Sequence, residues 1–233
     1  MDCFLYETHL HTKESSGCGH VPAAQMVEEY LERGYAGIVV TDHLPDDTLP
    51  RFPNDWQKWI DHYLMGYKAA KAAGDRLGLD VILGVELRFP ADTSDFLLYG
   101  ADEEFLRANP FLFNTNLKRF SRKYGKQVLI AQAHPYRFPF PLYPRHIHGV
   151  EIVNANERHD NSNDLALALT KKHKNLIQLA GSDAHRMEDI GRAALVLPQR
   201  VTNSHNLKQL LEGGHYQLFA PEHHHIILDS KHP

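Results

Sequence analysis

Imidazoles and carboxylates recur in short groups along this chain: His9 and His11 in ETHLHT, Asp42 and His43 in VVTDH, Glu86 in ILGVEL, His134 in LIAQAHP, and Asp183 and His185 in LAGSDAH. In extended backbone, side chains at i and i+2 share a face, so His9 and His11 can reach the same ion, as can Asp183 and His185. Imidazole suits zinc, iron and manganese, and a carboxylate can bridge two ions and offset their mutual repulsion. Glu86, a lone acid among histidines, is the candidate bridge. Histidine is abundant, 17 residues against 25 Lys plus Arg. That excess matters only if the fold gathers the rings. The two cysteines, Cys3 and Cys18, form no CxxC zinc motif. Cys18, in the first loop, reads as a small buried residue.

The elements that must position these groups alternate between short apolar runs and helical patterns, the rhythm of parallel α/β architecture. Phe4 to Tyr6 opens a strand. Pro22 starts a helix carrying Ala23, Met26, Val27, Tyr30 and Leu31 at helical spacing, and Gly34 ends it. Ala36 to Thr41 reads as a buried strand. After a proline-bearing loop (Pro45, Pro50, Pro53), Trp56 to Leu77 reads as one long helix stopping near Gly78. Further strands are expected over Val81–Val85, Phe96–Tyr99, Val128–Ala131, Gly149–Val153, Leu176–Ala180, Ala194–Leu197 and Tyr216–Phe219. Helices are expected over Leu117–Tyr124, Asp164–His173 and Leu207–Leu211. Pro135 to Pro144 reads as an ordered loop.

Each donor group then lies at or just past the C-terminal end of an expected parallel strand. A single domain over 1–233, with about seven β/α units in a barrel or near-barrel, would bring those ends to one face. One histidine after a strand is usually a hydrogen-bonded loop or core residue; five groups at five strand ends point to a metal site.

Bulk properties bound the rest. Hydrophobic residues make up 42% of the chain, enough for an ample core. A net charge of −4 argues against whole-surface attraction to membranes or long duplex DNA. The N-terminus lacks a basic region followed by an apolar one, and no apolar run is long enough to cross a bilayer, so a cytoplasmic protein is expected.

The motifs HLHT, TDH, GVE, AHP and GSDAH, in this order from about Phe4 to Val196, resemble the polymerase and histidinol phosphatase (PHP) family. The resemblance implies a distorted (β/α)7 TIM-like barrel with seven parallel strands and a trinuclear centre. On it, His9, His11, Glu86 and Asp183 would hold the first ion, Glu86 and His134 the second, and His43 with His185 the third. The chain departs from the family pattern in three places. Glu7 stands where aspartate often precedes the His-x-His pair. Asp95 is the candidate substitute near the fourth strand, where many members carry histidine. His20 is the candidate for a further first-loop histidine. Asp42 is an additional possible ligand.

The expected function is hydrolysis of a small phosphate ester, with two or three divalent ions (Mn, Zn or Fe) activating water, and with Asp183, Glu86 and His185 at the reacting centre. Lys13, Arg88, Arg137 and Arg186 follow the ligands closely and are candidate phosphate contacts. Histidinol phosphate is one possible monoester. Cleavage of nucleotides or oligonucleotide ends, and a non-catalytic metal-stabilised interaction domain, are the alternatives.

Overall fold

The period-2 alternation of the strands decides where the core lies. The computed structural model describes residues 3–46, 52, 54–90, 92–138 and 143–226. Pro50, Pro53, Pro139 and Pro141 of the two proline-bearing loops lie outside the described residues. In chain order the elements are β1 (Phe4–Leu10), α1 (Ala23–Glu32), β2 (Gly37–Val40), β3 (His43–Leu44), α2 (Trp56–Tyr63), α3 (Met65–Leu77), β4 (Asp80–Leu83), β5 (Val85–Arg88) and β6 (Asp95–Tyr99). Then come α4 (Glu103–Ala108), α5 (Leu117–Tyr124), β7 (Leu129–Gln132), β8 (Gly149–Asn154), α6 (Asn163–Lys172), β9 (Ile177–Gly181), β10 (Ala194–Leu197), α7 (Ser204–Glu212) and β11 (Gln217–Phe219).

The strands form two sheets, ordered β11-β10-β1-β2-β4 and β3-β5-β6-β7-β8-β9. This corrects the expectation of a barrel of seven parallel strands. Among the described residues the pairing does not close, and β1–β10, β10–β11, β5–β6 and β6–β7 pair antiparallel. For β5–β6 the short connection explains the direction: a parallel crossover needs a dozen or more residues, so neighbouring strands joined by this brief link run antiparallel. The sheets nevertheless adjoin. The chain passes from β4 to β5 through Gly84 alone, and a parallel bridge pairs Leu10 with Ala184, just past β9.

Alternate strand residues divide between the outer and inner faces. Ile38 and Val40 of β2 pack outward against α1 and α3, as does Val81 of β4. Phe96 and Leu98 of β6 and Ile130 of β7 join the apolar layer formed with α2, α4 and α5. The intervening Val39, Ile82, Leu97, Tyr99, Leu129 and Ala131 meet Tyr6 and Leu179 in an inner core, to which α7 adds Leu207 and Leu211.

The expected single helix over Trp56–Leu77 is two helices that meet at Leu64. The break lets α3 approach the first loop closely. A Cβ at Gly66 would collide with the Thr12 side chain and come 2.9 Å from Asp42 Oδ2. No helix among the described residues is long and apolar enough to cross a membrane.

Candidate metal centre

Two strand irregularities aim the centre. Between Glu7 and Leu10, β1 advances one residue more than its partner β2, a bulge that shifts side-chain parity. Leu10 then faces the outer layer with α1, while His9 and His11 turn toward the converging strand ends. A matching irregularity in β8 lies between Glu151 and Val153. Val150, Ile152 and Val153 go to the apolar layer, and Glu151 and Asn154 face the site. His134 and Asp183 follow β7 and β9 with φ of 27° and 50°, left-handed conformations that cost non-glycine residues about 1–3 kcal/mol. Both strained residues carry donors.

His9 Nε2, His11 Nε2 and Asp183 Oδ1 form a nearly equilateral triangle, with separations of 3.2, 3.3 and 3.3 Å. A regular tetrahedron of that edge has its centre about 2.0 Å from each corner, the length of a zinc–imidazole bond. Glu86 lies against two of these corners: Oε1 is 3.4 Å from His9 Nε2, and Oε2 is 3.2 Å from His11 Nε2. The same carboxylate reaches onward, with Oε1 3.2 Å from His134 Nε2 and Oε2 2.9 Å from His43 Nδ1. Glu86 Oε2 is buried yet has no hydrogen-bond geometry to any partner among the described residues. A buried acceptor facing only ring nitrogens is costly without a cation between them. These residues fit divalent ions.

The electrostatics of the metal-free centre agree. Burial pushes Glu86 and Asp183 upward, but the imidazoles outweigh it: His43 and His9 hold Glu86, and His9 holds Asp183, well below the ordinary carboxylate range. Burial pulls His9 down, yet Asp183, Glu151 and Glu86 hold it well above its usual value. His11 also loses to burial, and to the neighbouring His43 charge. The carboxylates of Asp183 and Glu86 still bring it up to about 9.

Ring orientation comes from outside the donor triangle. His9 Nδ1 lies 3.0 Å from Glu151 Oε1, and His185 Nδ1 lies 2.8 Å from the Asp183 carbonyl. Each contact leaves Nε2 as the free donor and fixes the ring plane. Glu151 also accepts from the His134 backbone N–H at 2.9 Å. Arg137 donates to Asp183 Oδ2 at 2.5 Å and to Asn154 and Asn161 at 3.0 and 2.8 Å, which leaves Oδ1 to the histidines. Glu7 acts on backbone: its carboxylate accepts from the N–H groups of Thr8, His9 and Ser182 and from the Tyr30 hydroxyl.

Of the other candidates, Asp95 forms a donor group with His43 and Glu86, and Arg88 forks onto its carboxylate with two contacts of 2.6 Å. Asp42 is turned to the first loop, where it accepts from Thr12 N, Thr12 Oγ1 and Ser16 Oγ, each at 2.7 Å. Its carboxyl is pushed by burial up to about 6. His20 is exposed and gives its backbone N–H to the His185 carbonyl at 2.8 Å. Lys13 and Arg186 are also exposed. Neither Asp42 nor His20 belongs to a donor group among the described residues.

The sequence reading missed Glu151, Asn154 and Cys18. A glutamate inside the apolar run GVEIV was a usable signal, since a buried acid needs a partner. Cys18 had none. Its sulfur is half-buried beside His43 and His185, and although burial pushes the thiol up, hydrogen bonds to those rings bring it down to about 5.

A cavity of about 650 Å³ opens directly onto this centre, with Cys18, His43, Trp59, Arg88, Phe89 and Phe113 in its walls. Glu151→Gln weakens the hold on His9 and is expected to lower metal affinity by about 10–100-fold. Isothermal titration with zinc checks this; unchanged affinity would remove Glu151 from the centre.

The fold has known counterparts. A two-domain protein from Bacteroides vulgatus, described as containing a predicted PHP-like metal-dependent phosphoesterase, superposes with a TM-score of 0.68 at 18% identity over 94% of this chain. The chain spans 65% of that protein's length. An amidohydrolase from Chromobacterium violaceum, with bound sulfate and no metal, superposes with a TM-score of 0.55 at 16% identity, covering 94% of this chain and 99% of its own. At such identities the likeness speaks to fold alone. No curated protein matches the sequence significantly. The PHP domain profile matches residues 7–213, a stretch that takes in every donor of the centre, and the chain therefore belongs to the PHP domain family.

Proposed function

We propose that this protein hydrolyses a small phosphate ester at a centre of two or three divalent metal ions. The observation that carries the reading is the buried triangle of His9, His11 and Asp183 donors, flanked by a Glu86 carboxylate whose Oε2 has no hydrogen-bond partner among the described residues. Bound ions would lower the pKa of water toward neutrality and neutralise phosphate oxygens. Glu86 would link neighbouring ions, since its two oxygens face different imidazoles. Asp183 would serve as a ligand rather than a base, because Arg137 and the histidines hold it ionised. His185, fixed by the Asp183 carbonyl, would offer Nε2 as a further donor alongside His11 and His43.

The adjoining cavity favours an enzyme over a closed structural site, because a catalytic centre must leave room for substrate. Its volume suits a small ester. Arg88, on the cavity wall and forked onto Asp95, is placed to meet a phosphate entering beside His43. Arg88→Ala is expected to raise KM about tenfold while metal content stays the same. An unchanged KM would reject that contact.

The direct test is hydrolysis of p-nitrophenyl phosphate and bis-p-nitrophenyl phosphate, with manganese or zinc supplied and a chelator control. Chelator-sensitive turnover supports the reading, and the preferred ester separates a phosphatase from a phosphodiesterase. No turnover of these or of any phosphate ester, with metal bound, would overturn it in favour of a non-catalytic domain.

A further inference from the structure

Behind the first donor triangle lies a second group, in which donor atoms of His11, Cys18, His43 and His185 all fall within 4.8 Å of one another. His11 Nε2 already faces the triangle. The donors left to this group are therefore the Cys18 sulfur and the imidazoles of His43 and His185. His43 Nδ1 faces Glu86 Oε2 at 2.9 Å and His185 Nδ1 sits 2.8 Å from the Asp183 carbonyl, so each ring has a second nitrogen directed away from these oxygens. His11 stacks between them, with ring centroids 4.4 Å from His43 and 4.3 Å from His185.

The loop that brings Cys18 here is held firmly. Asp42 ties down Thr12 and Ser16, the Gly19 N–H reaches the Ser16 carbonyl at 2.9 Å, and the next residue bonds to the His185 carbonyl at 2.8 Å. Gly19 permits that course, because a Cβ there would stand 2.5 Å from the Thr12 carbonyl oxygen. The cysteine is thus placed by four anchored neighbours and directed at three imidazoles.

We propose that Cys18 is a thiolate ligand of an ion shared with His43 and His185, which gives the centre one soft, zinc-selective site beside harder ones. The assignment rests on the metal-centre reading above but goes beyond it, since the family resemblance supplies only His43 and His185 here and offers His20 for the loop. A thiolate favours zinc over manganese or magnesium, whereas the mixed imidazole and carboxylate donors around His9, His11, Asp183 and Glu86 select less sharply.

The test is zinc K-edge absorption fine structure on the zinc-loaded full chain, with Co²⁺ substitution as a second probe. Wild type is expected to show a zinc–sulfur shell at about 2.3 Å, and its cobalt form a thiolate-to-cobalt charge-transfer band in the near ultraviolet. Cys3→Ser should keep both signals. Cys18→Ser should lose both, together with one equivalent of zinc, and Cys18→His should lose the sulfur signals but keep the equivalent. Zinc-loaded wild type without a sulfur shell would overturn the proposal whether or not any variant folds, as would full sulfur signals in Cys18→Ser. The two readings fail separately. A sulfur shell in a protein that hydrolyses no ester leaves the ligand standing and removes the phosphoesterase. Chelator-sensitive hydrolysis without a sulfur shell does the reverse.

Discussion

Glu86→Ala is expected to lose metal and ester hydrolysis together, with turnover falling on the order of 10³-fold or more, since metal-supplied charge stabilisation is worth several kcal/mol. One carboxylate here faces four imidazoles: Oε1 approaches His9 and His134, and Oε2 approaches His11 and His43. Its removal strips the rings of the one carboxylate that reaches all four, leaving Asp183 beside His9 and His11, Glu151 on the far nitrogen of His9, and Asp95 3.9 Å from His134. Cations would then be repelled as soon as any ring is protonated. Glu86→Gln separates charge from volume. It preserves packing in a site where Glu86 is fully buried but lacks the charge, so it should fail almost as badly. Metal analysis alongside steady-state kinetics decides the matter. Either variant with wild-type metal content and turnover would rule out Glu86 as the link between ions.

Metal affinity should rise steeply with pH, and the metal-free protein should respond to pH in the opposite sense. Without metal, His9 and His43 are held well above their ordinary value and His11 reaches about 9, so these rings carry protons at neutrality. An incoming ion must displace them, and each displaced proton contributes about a tenfold change in apparent affinity per pH unit. Competition weakens as pH rises toward the raised values and disappears above them. Titrations from pH 6 to 8 in buffers of different ionisation enthalpy should show proton release; a flat affinity would refute it. For metal-free stability, a raised histidine stabilises fully below its unfolded value of 6.5 and loses that contribution as pH climbs through its folded value, about 9 for His11. The melting temperature without metal should therefore fall across this window, while excess zinc should counter the fall.

Much of the fold could be read from local pattern. The helix after Pro22, the strand before Thr41 and the helix ending at Gly125 stand close to where periodicity places them. Failures arose where a single sequence run serves two partners. Val81–Val85 is apolar throughout, yet Gly84 divides it so that β4 joins one sheet and β5 the other. Trp56–Leu77 keeps a helical pattern across Leu64, where the structure nevertheless divides it into two helices, the second lying close against the first loop. Strand direction was equally hidden, because hydrophobicity carries no sign along the chain. The antiparallel course of β6 puts Asp95, at its first residue, on the same face as Arg88, at the last residue of β5.

By itself the sequence singled out His9, His11, His43, Glu86, His134, Asp183 and His185 as candidate donors, because metal binding demands particular side chains and strand ends are where α/β folds expose them, and the fold gathers these residues into groups that could hold metal ions. Tertiary structure alone decided how they are aimed and held. The extra residue in β1 sets which face the His-x-His pair presents, and the irregularity in β8 turns Glu151 and Asn154 inward beside Val153. A bulge is a mismatch between two strands, so neither strand's sequence contains it. The same holds for Cys18: its nearness to His43 and His185 exists only after β1, β2 and β9 have come together, at sequence separations no local pattern can register.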